Sequence, residues 1–109
     1  MTYKKGYGFE RSLKLDLESK GWKVIRSGGS KKPDLVAAKD GKVIIIECKF
    51  TSNGVIYLEK DEVLNLQEVA KHFGGECIYY VRRKNDKVPI MATIDQFKEV
   101  NNSFVLKLD

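Results

Sequence analysis

Residues 33 to 49 read as a hairpin, two strand-like runs flanking the dipeptide Asp40-Gly41. Asp-Gly between such runs is the strongest short-range hairpin signal, because a two-residue turn needs residues that tolerate positive φ. With Asp40 and Gly41 as the loop, Lys39 faces Lys42, Val36 faces Ile45, and Asp34 faces Glu47. Residues of equal parity share a face of a strand. Ile44, Ile46, Cys48 and Phe50 therefore form a wholly apolar face, whereas the opposite face runs Val43, Ile45, Glu47, Lys49 and turns charged towards its end.

The pattern elsewhere supplies the flanking layers. Phe9, Leu13 and Leu17 recur at four-residue spacing and predict an amphipathic helix from Lys4 to Lys20, with Gly21 as its C-terminal cap. Trp22 to Arg26 reads as a short strand, and Ser27 to Lys32 as a glycine-containing basic loop. After a turn at Thr51 to Gly54, Val55 to Leu58 reads as a short edge strand. Val63, Leu66, Ala70 and Phe73 mark one face of a second helix, Lys60 to Phe73, stopped by Gly74-Gly75. Cys77 to Val81 is a continuous apolar strand, followed by the basic turn Arg82 to Lys87, which is either a solvated turn or a phosphate contact. A strand at Pro89 to Thr93, a short helix at Asp95 to Val100 and a last strand at Phe104 to Leu108 complete the chain. Strands gathered early, with a helix returning the chain to Cys77–Val81, predict an α/β fold with a mixed central sheet flanked by helices. The 109 residues suit a single domain spanning 1–109.

Charge alters the meaning of the hairpin. Carboxylates facing one another on a sheet repel, and a strand ending in Glu-x-Lys loses stability unless the charges are paired or used. A cation between Asp34 and Glu47 removes the repulsion. The structural alternative is a rim salt bridge between Glu47 and Lys49, with Asp34 as a turn residue. Hard oxygen donors without a second histidine suit Mg²⁺ or Mn²⁺, and His72 stands alone on a helix. Glu10 borders the apolar stripe of the first helix, either as an exposed glutamate or leaning over the sheet edge to complete the ligand set. Such a centre permits phosphodiester hydrolysis, with Lys49 neutralising developing charge. A net charge of +5 and a pI near 9.2 favour a polyanionic partner such as nucleic acid. In the loop, Ser27 and Ser30 can donate to phosphate, and Lys31 and Lys32 can pair with it.

The two cysteines, Cys48 and Cys77, form no CxxC and read as buried thiols of a reducing compartment. No apolar run is long enough to span a membrane, and the first residues lack the apolar core of a signal peptide. An intracellular, cytoplasmic protein with no membrane contact and no small-molecule cofactor is the expectation.

Pro33-Asp34 followed by Glu47-Cys48-Lys49 resembles the PD-(D/E)xK nuclease signature. The neighbours sharpen the likeness. Lys5-Gly6, Phe9-Glu10-Arg11, Leu13, Gly21, Arg26-Ser27-Gly28-Gly29-Ser30 and Ile56-Tyr57-Leu58 before the second helix resemble the archaeal Holliday junction resolvases over roughly residues 4 to 82. The resemblance implies a restriction-endonuclease-like fold and a homodimer that nicks two opposed strands of four-way junction DNA with Mg²⁺, for which Mn²⁺ substitutes. It implies Glu10, Asp34 and Glu47 as metal ligands, Lys49 as the catalytic lysine, and Ser30 as a further catalytic residue in the glycine loop. Lys5, Arg11, Arg26, Ser30, Lys31 and Lys32 match the DNA-binding face. Related enzymes occur in archaea and their viruses. The competing readings are a PD-(D/E)xK nuclease acting on other DNA structures and a junction-binding protein that does not cut. For a dimer interface the apolar residues Ile78, Tyr79, Tyr80, Ile90 and Met91 are candidates, the domain's own core being the alternative.

Overall fold

The hairpin forms as its pattern requires. In the computed structural model, which describes residues 5–28 and 32–108, β2 (Leu35–Lys39) pairs antiparallel with β3 (Lys42–Thr51), Lys39 opposite Lys42 and Val36 opposite Ile45. Asp40 and Gly41 take φ of +50° and +81°, the left-handed pair of a type I′ turn, whose twist matches that of the strands.

Around this hairpin lies a five-stranded sheet in the order β1-β2-β3-β5-β6, with β1 spanning Lys23–Arg26, β5 Glu76–Arg83 and β6 Ile90–Ala92. The β3–β5 pair is parallel and the other three pairs are antiparallel, so the sheet is mixed as expected. The parallel pair needs a crossover, and α2 (Lys60–Phe73) lies within it.

Each helix covers one face. Phe9, Leu13 and Leu17 of α1 (Lys5–Ser19) pack with Val24, Leu35, Ile46 and Ile78. Val63, Leu66 and Ala70 of α2 pack with Ile45, Tyr79 and Val81 on the other side. Ile45 and Ile46 are both 0% exposed, so β3 is buried on both faces at its middle. Full burial of each such side chain contributes about 1.5–3 kcal/mol, which makes β3 the strand the remainder packs on.

The strand at Val55–Glu59 (β4) is an edge strand as expected, and the sheet it edges is a separate antiparallel one, β4-β8-β7, with β7 at Lys98–Val100 and β8 at Ser103–Lys107. Ile56 and Leu58 turn inward onto the α2 side of the core. The predicted helix at Asp95–Val100 is a 3-10 turn at Ile94–Gln96 followed by β7, because Phe97 is drawn into the core against Tyr79, ring centroids 5.6 Å apart. Ile78 and Tyr79 are core rather than interface, since β5 is an inner strand covered on both faces. Ile90 and Met91 stay exposed, and Tyr80 is half-buried.

Candidate active site

The site forms where β2 parts from β3. The ladder ends at Leu35 opposite Ile46, and beyond it Glu47 to Thr51 pair only with β5, on their other side. Asp34 marks the parting. Its N–H donates to the Ile46 carbonyl at 3.0 Å, and its Oδ2 accepts the Cys48 N–H at 2.8 Å. The turn register alone sets Asp34 squarely opposite Glu47, but regular pairing stops one step earlier. Asp34 instead continues the ladder through its side chain, while its charge still bears on Glu47.

Glu47, Lys49, Asp34 and Glu10 are brought to this parting. Burial pushes the Glu47 carboxyl up to about 7, helped by the charge of Asp34 and opposed by Lys49. Glu47 Oε1 is buried without a hydrogen-bond partner among the described residues. Its Oε2 lies 3.9 Å from Lys49 Nζ, which lies closer, at 3.4 Å, to Oε2 of Glu62. Burial, then Asp34, raises Glu10 as well, while Arg26 opposes the shift with its Nε at 3.4 Å from Glu10 Oε1. Glu10 therefore does lean over the sheet, held there because Phe9 and Leu13 anchor its stretch of α1. Cys48 carries a thiol pushed far up by burial and by the charges of Asp34, Glu10 and Glu47, so it stays protonated and inert. Both Cys48 and Cys77 are free and half-buried rather than fully enclosed.

Beside these groups lies a cleft of about 560 Å³, with Glu47, Lys49 and Lys32 on its walls and Leu58, Leu66 and Tyr79 beneath. Of the DNA-binding candidates, Arg11, Arg26 and Lys32 are exposed, and Arg26 is engaged with Glu10. Ser30 and Lys31 lie outside the described residues, as does the side chain of Lys5. His72 is exposed on α2 and takes no part. Glu62 was missed by sequence reasoning. Its only local signal was the Glu59-x-x-Glu62 spacing of a helix start, and Glu62 Oε1 does accept the Glu59 N–H at 3.0 Å.

The donor set suits a hard divalent cation. Three carboxylates interact electrostatically, one keeps a buried oxygen unsatisfied, and neither histidine nor thiolate competes. They are not gathered into a ready cage: among the described residues no three acidic, histidine or cysteine groups converge that closely. Glu10 is turned to Arg26, Asp34 to the Cys48 amide, and Glu47 to Lys49.

Comparison with known proteins bears on this arrangement. Residues 1–109 match the family model for archaeal Holliday junction resolvase (Hjc). The crossover junction endodeoxyribonuclease Hjc of Methanocaldococcus jannaschii is 46% identical over 74 residues, 68% of this chain and 56% of that relative. Its counterpart from Sulfurisphaera tokodaii is 40% identical over 85 residues, 72% of this chain and 59% of the relative. The chain thus spans little more than half the length of these curated relatives. The solved structure of Archaeoglobus fulgidus Hjc, a Holliday junction resolvase from an archaeal hyperthermophile, superposes with a TM-score of 0.88 at 28% identity, covering 95% of this chain and 84% of that one. Matched by the family model over residues 1–109 and by these relatives, the chain belongs to the archaeal Holliday junction resolvase family.

Proposed function

We propose that this chain is a structure-selective endonuclease that resolves four-way DNA junctions by metal-dependent phosphodiester hydrolysis, as an intracellular homodimer built from one nuclease domain spanning 1–109. The observation that carries the reading is Glu47. Its side chain is half-buried, with Oε1 buried and unpartnered among the described residues, and it sits between Asp34 and Lys49 at an open sheet edge. Leaving a half-buried carboxylate so poorly matched costs stability, and such cost is characteristic of sites kept for chemistry.

Asp34, Glu47 and Glu10 would hold Mg²⁺, with Mn²⁺ as a substitute. When bound, the ion supplies Lewis-acid stabilisation of the charge that develops on the scissile phosphate. The remaining work belongs to the protein. Lys49 presents its ammonium to a non-bridging phosphate oxygen and stabilises the same charge from the protein side. Lys32 on the cleft wall pairs with the DNA backbone, and Arg11 and Arg26 extend that grip from α1 and β1. Ser30, Lys31 and Lys5 belong to the same proposal through the family pattern. No helix among the described residues is long and apolar enough to cross a membrane.

The dimer follows from the substrate. A four-way junction has approximate two-fold symmetry, and an isologous pair presents two identical sites related by the same operator. Of the interface candidates, Ile90 and Met91 retain the exposure that role needs.

The deciding experiment is cleavage with Mg²⁺ of a labelled four-way junction against linear duplex of the same sequence. Wild type should nick the junction symmetrically and spare the duplex. Asp34→Asn keeps an amide oxygen able to accept the Cys48 N–H, so the fold and junction affinity should hold within about tenfold, ~1.4 kcal/mol, while cleavage collapses. Equal cutting of duplex would place the protein among broader-acting nucleases, and tight binding without cutting would make it a junction-binding protein.

A further inference from the structure

We propose that Glu62 is a positioning residue for Lys49, holding its ammonium off Glu47 so that Glu47 stays available; the inference rests on the function proposed above. Lys49 Nζ has two carboxylates in reach, Glu62 Oε2 at 3.4 Å and Glu47 Oε2 at 3.9 Å, and it lies nearer the former. A lysine stem is flexible, and its ammonium is a compact point charge that follows the nearest carboxylate. Without Glu62, Glu47 is the acid left beside it, and the ammonium that should face the phosphate would neutralise the carboxylate beside Asp34.

Glu62 is built for this task. It stands in the first turn of α2, next to Val63, which is 1% exposed and fixes the helix against the sheet. Its Oε1 is tied to the Glu59 N–H at 3.0 Å, leaving Oε2 aimed at Lys49. Two bonds to different elements, β3 and the β4–α2 junction, fix an otherwise exposed side chain. Helix capping alone does not need the charge. Glutamine at this position accepts the same N–H and is the usual alternative in a capping box. The helix dipole favours any acid in this turn, Asp61 included, whereas the Glu62 charge has in addition a specific partner in Lys49.

Glu62→Gln separates the two roles. The variant should unfold close to the wild-type urea midpoint, because the cap hydrogen bond is kept and the charge lost is an exposed one, and should bind the junction in EDTA within about twofold of wild type. Its single-turnover cleavage rate should fall at least tenfold. A second readout is independent of activity and of metal. In EDTA, limiting acetic anhydride followed by peptide mass mapping should modify Lys49 at least threefold faster in Glu62→Gln, with Lys42 at the distant hairpin tip as internal standard. Glu68→Gln, which removes an exposed charge of the same helix outside the cleft, should leave both quantities unchanged. Wild-type cleavage by Glu62→Gln, unchanged Lys49 labelling, or equal losses in Glu68→Gln would each overturn the proposal. If wild type itself spares the junction, the proposed function fails, and the labelling still decides whether Glu62 holds Lys49.

Discussion

Glu47 carries a charge that the fold accommodates poorly. Its ordinary value lies near 4.5, and burial with Asp34 lifts it to about 7 in the folded protein. The sign of the pH effect follows from linkage. Below about 4.5 the folded and unfolded chains both hold the proton, and Glu47 contributes no pH dependence. Between about 4.5 and 7 the unfolded chain releases it while the folded chain keeps it, so stability falls as pH rises; above about 7 the loss is complete. Glu47→Gln removes a charge that the fold tolerates poorly, while Lys49 keeps Glu62 as a partner. In EDTA at pH 8 the variant should be more stable than wild type by on the order of 1–2 kcal/mol, allowing for the partial exposure of the group, and the gain should shrink towards zero at pH 4. Junction cleavage should be lost. Urea denaturation at the two pH values reads this directly, and a variant destabilised equally at both would show that the Glu47 charge is well matched in the fold.

At the scale of elements, the junction between α2 and β5 sets how the site strand meets its parallel neighbour. Gly74 takes φ +67° and caps α2, its N–H donating to the Lys71 carbonyl at 3.2 Å. Gly75 is needed for a different reason: a Cβ there would stand 2.6 Å from the Val43 carbonyl oxygen of β3. Gly74→Ala should cost about 1 kcal/mol, the ordinary cost of left-handed backbone without glycine. Gly75→Ala should cost more, roughly 2–3 kcal/mol, because backbone of β3 or β5 must shift. Urea midpoints will rank the two, and a milder Gly75→Ala would mean that the β3–β5 register is slack at this end. The glycine pair was legible as a helix stop, but the close approach to Val43 was not, since Val43 lies some thirty residues back on another element. The same distinction runs through the molecule. Asp40-Gly41, the alternation around it and the Phe9-Leu13-Leu17 stripe are local, so the hairpin, both helices and the Asp34, Glu47, Lys49 set could be read directly. β4 was legible as an edge strand, but its pairing with β8, across a long stretch of intervening chain, was not; Asp95–Val100 answers to Phe97 packing on Tyr79, a force that is not local, and was read as a helix. Glu62 escaped notice for the same reason, its partner Lys49 lying thirteen positions earlier on a different strand.

For the whole molecule, what matters is where the +5 charge lies relative to the cleft. Net charge draws any polyanion, but only cations that meet phosphates release counterions, and each phosphate so neutralised steepens the fall of affinity with salt by about 0.9 in log–log slope. Lys32 lines the cleft beside Glu47 and Lys49, whereas Lys42 sits at the hairpin tip, at the opposite end of β3. At roughly 3.3 Å per residue the seven steps from Lys42 to Lys49 separate that tip from the site by about 23 Å, well beyond the Debye length of ~10 Å at 0.1 M salt. The two substitutions remove the same formal charge from different places. If the cleft is where the junction backbone lies, Lys32→Ala should reduce the salt slope of junction binding by about 0.9 for each phosphate the lysine had neutralised, and Lys42→Ala should leave it unchanged. Fluorescence anisotropy with a labelled junction in EDTA, across a several-fold range of salt around the physiological concentration, gives both slopes without cleavage. Equal slopes for the two variants would mean that the charge acts as a diffuse field rather than through the cleft, and would move the DNA-binding face away from β3.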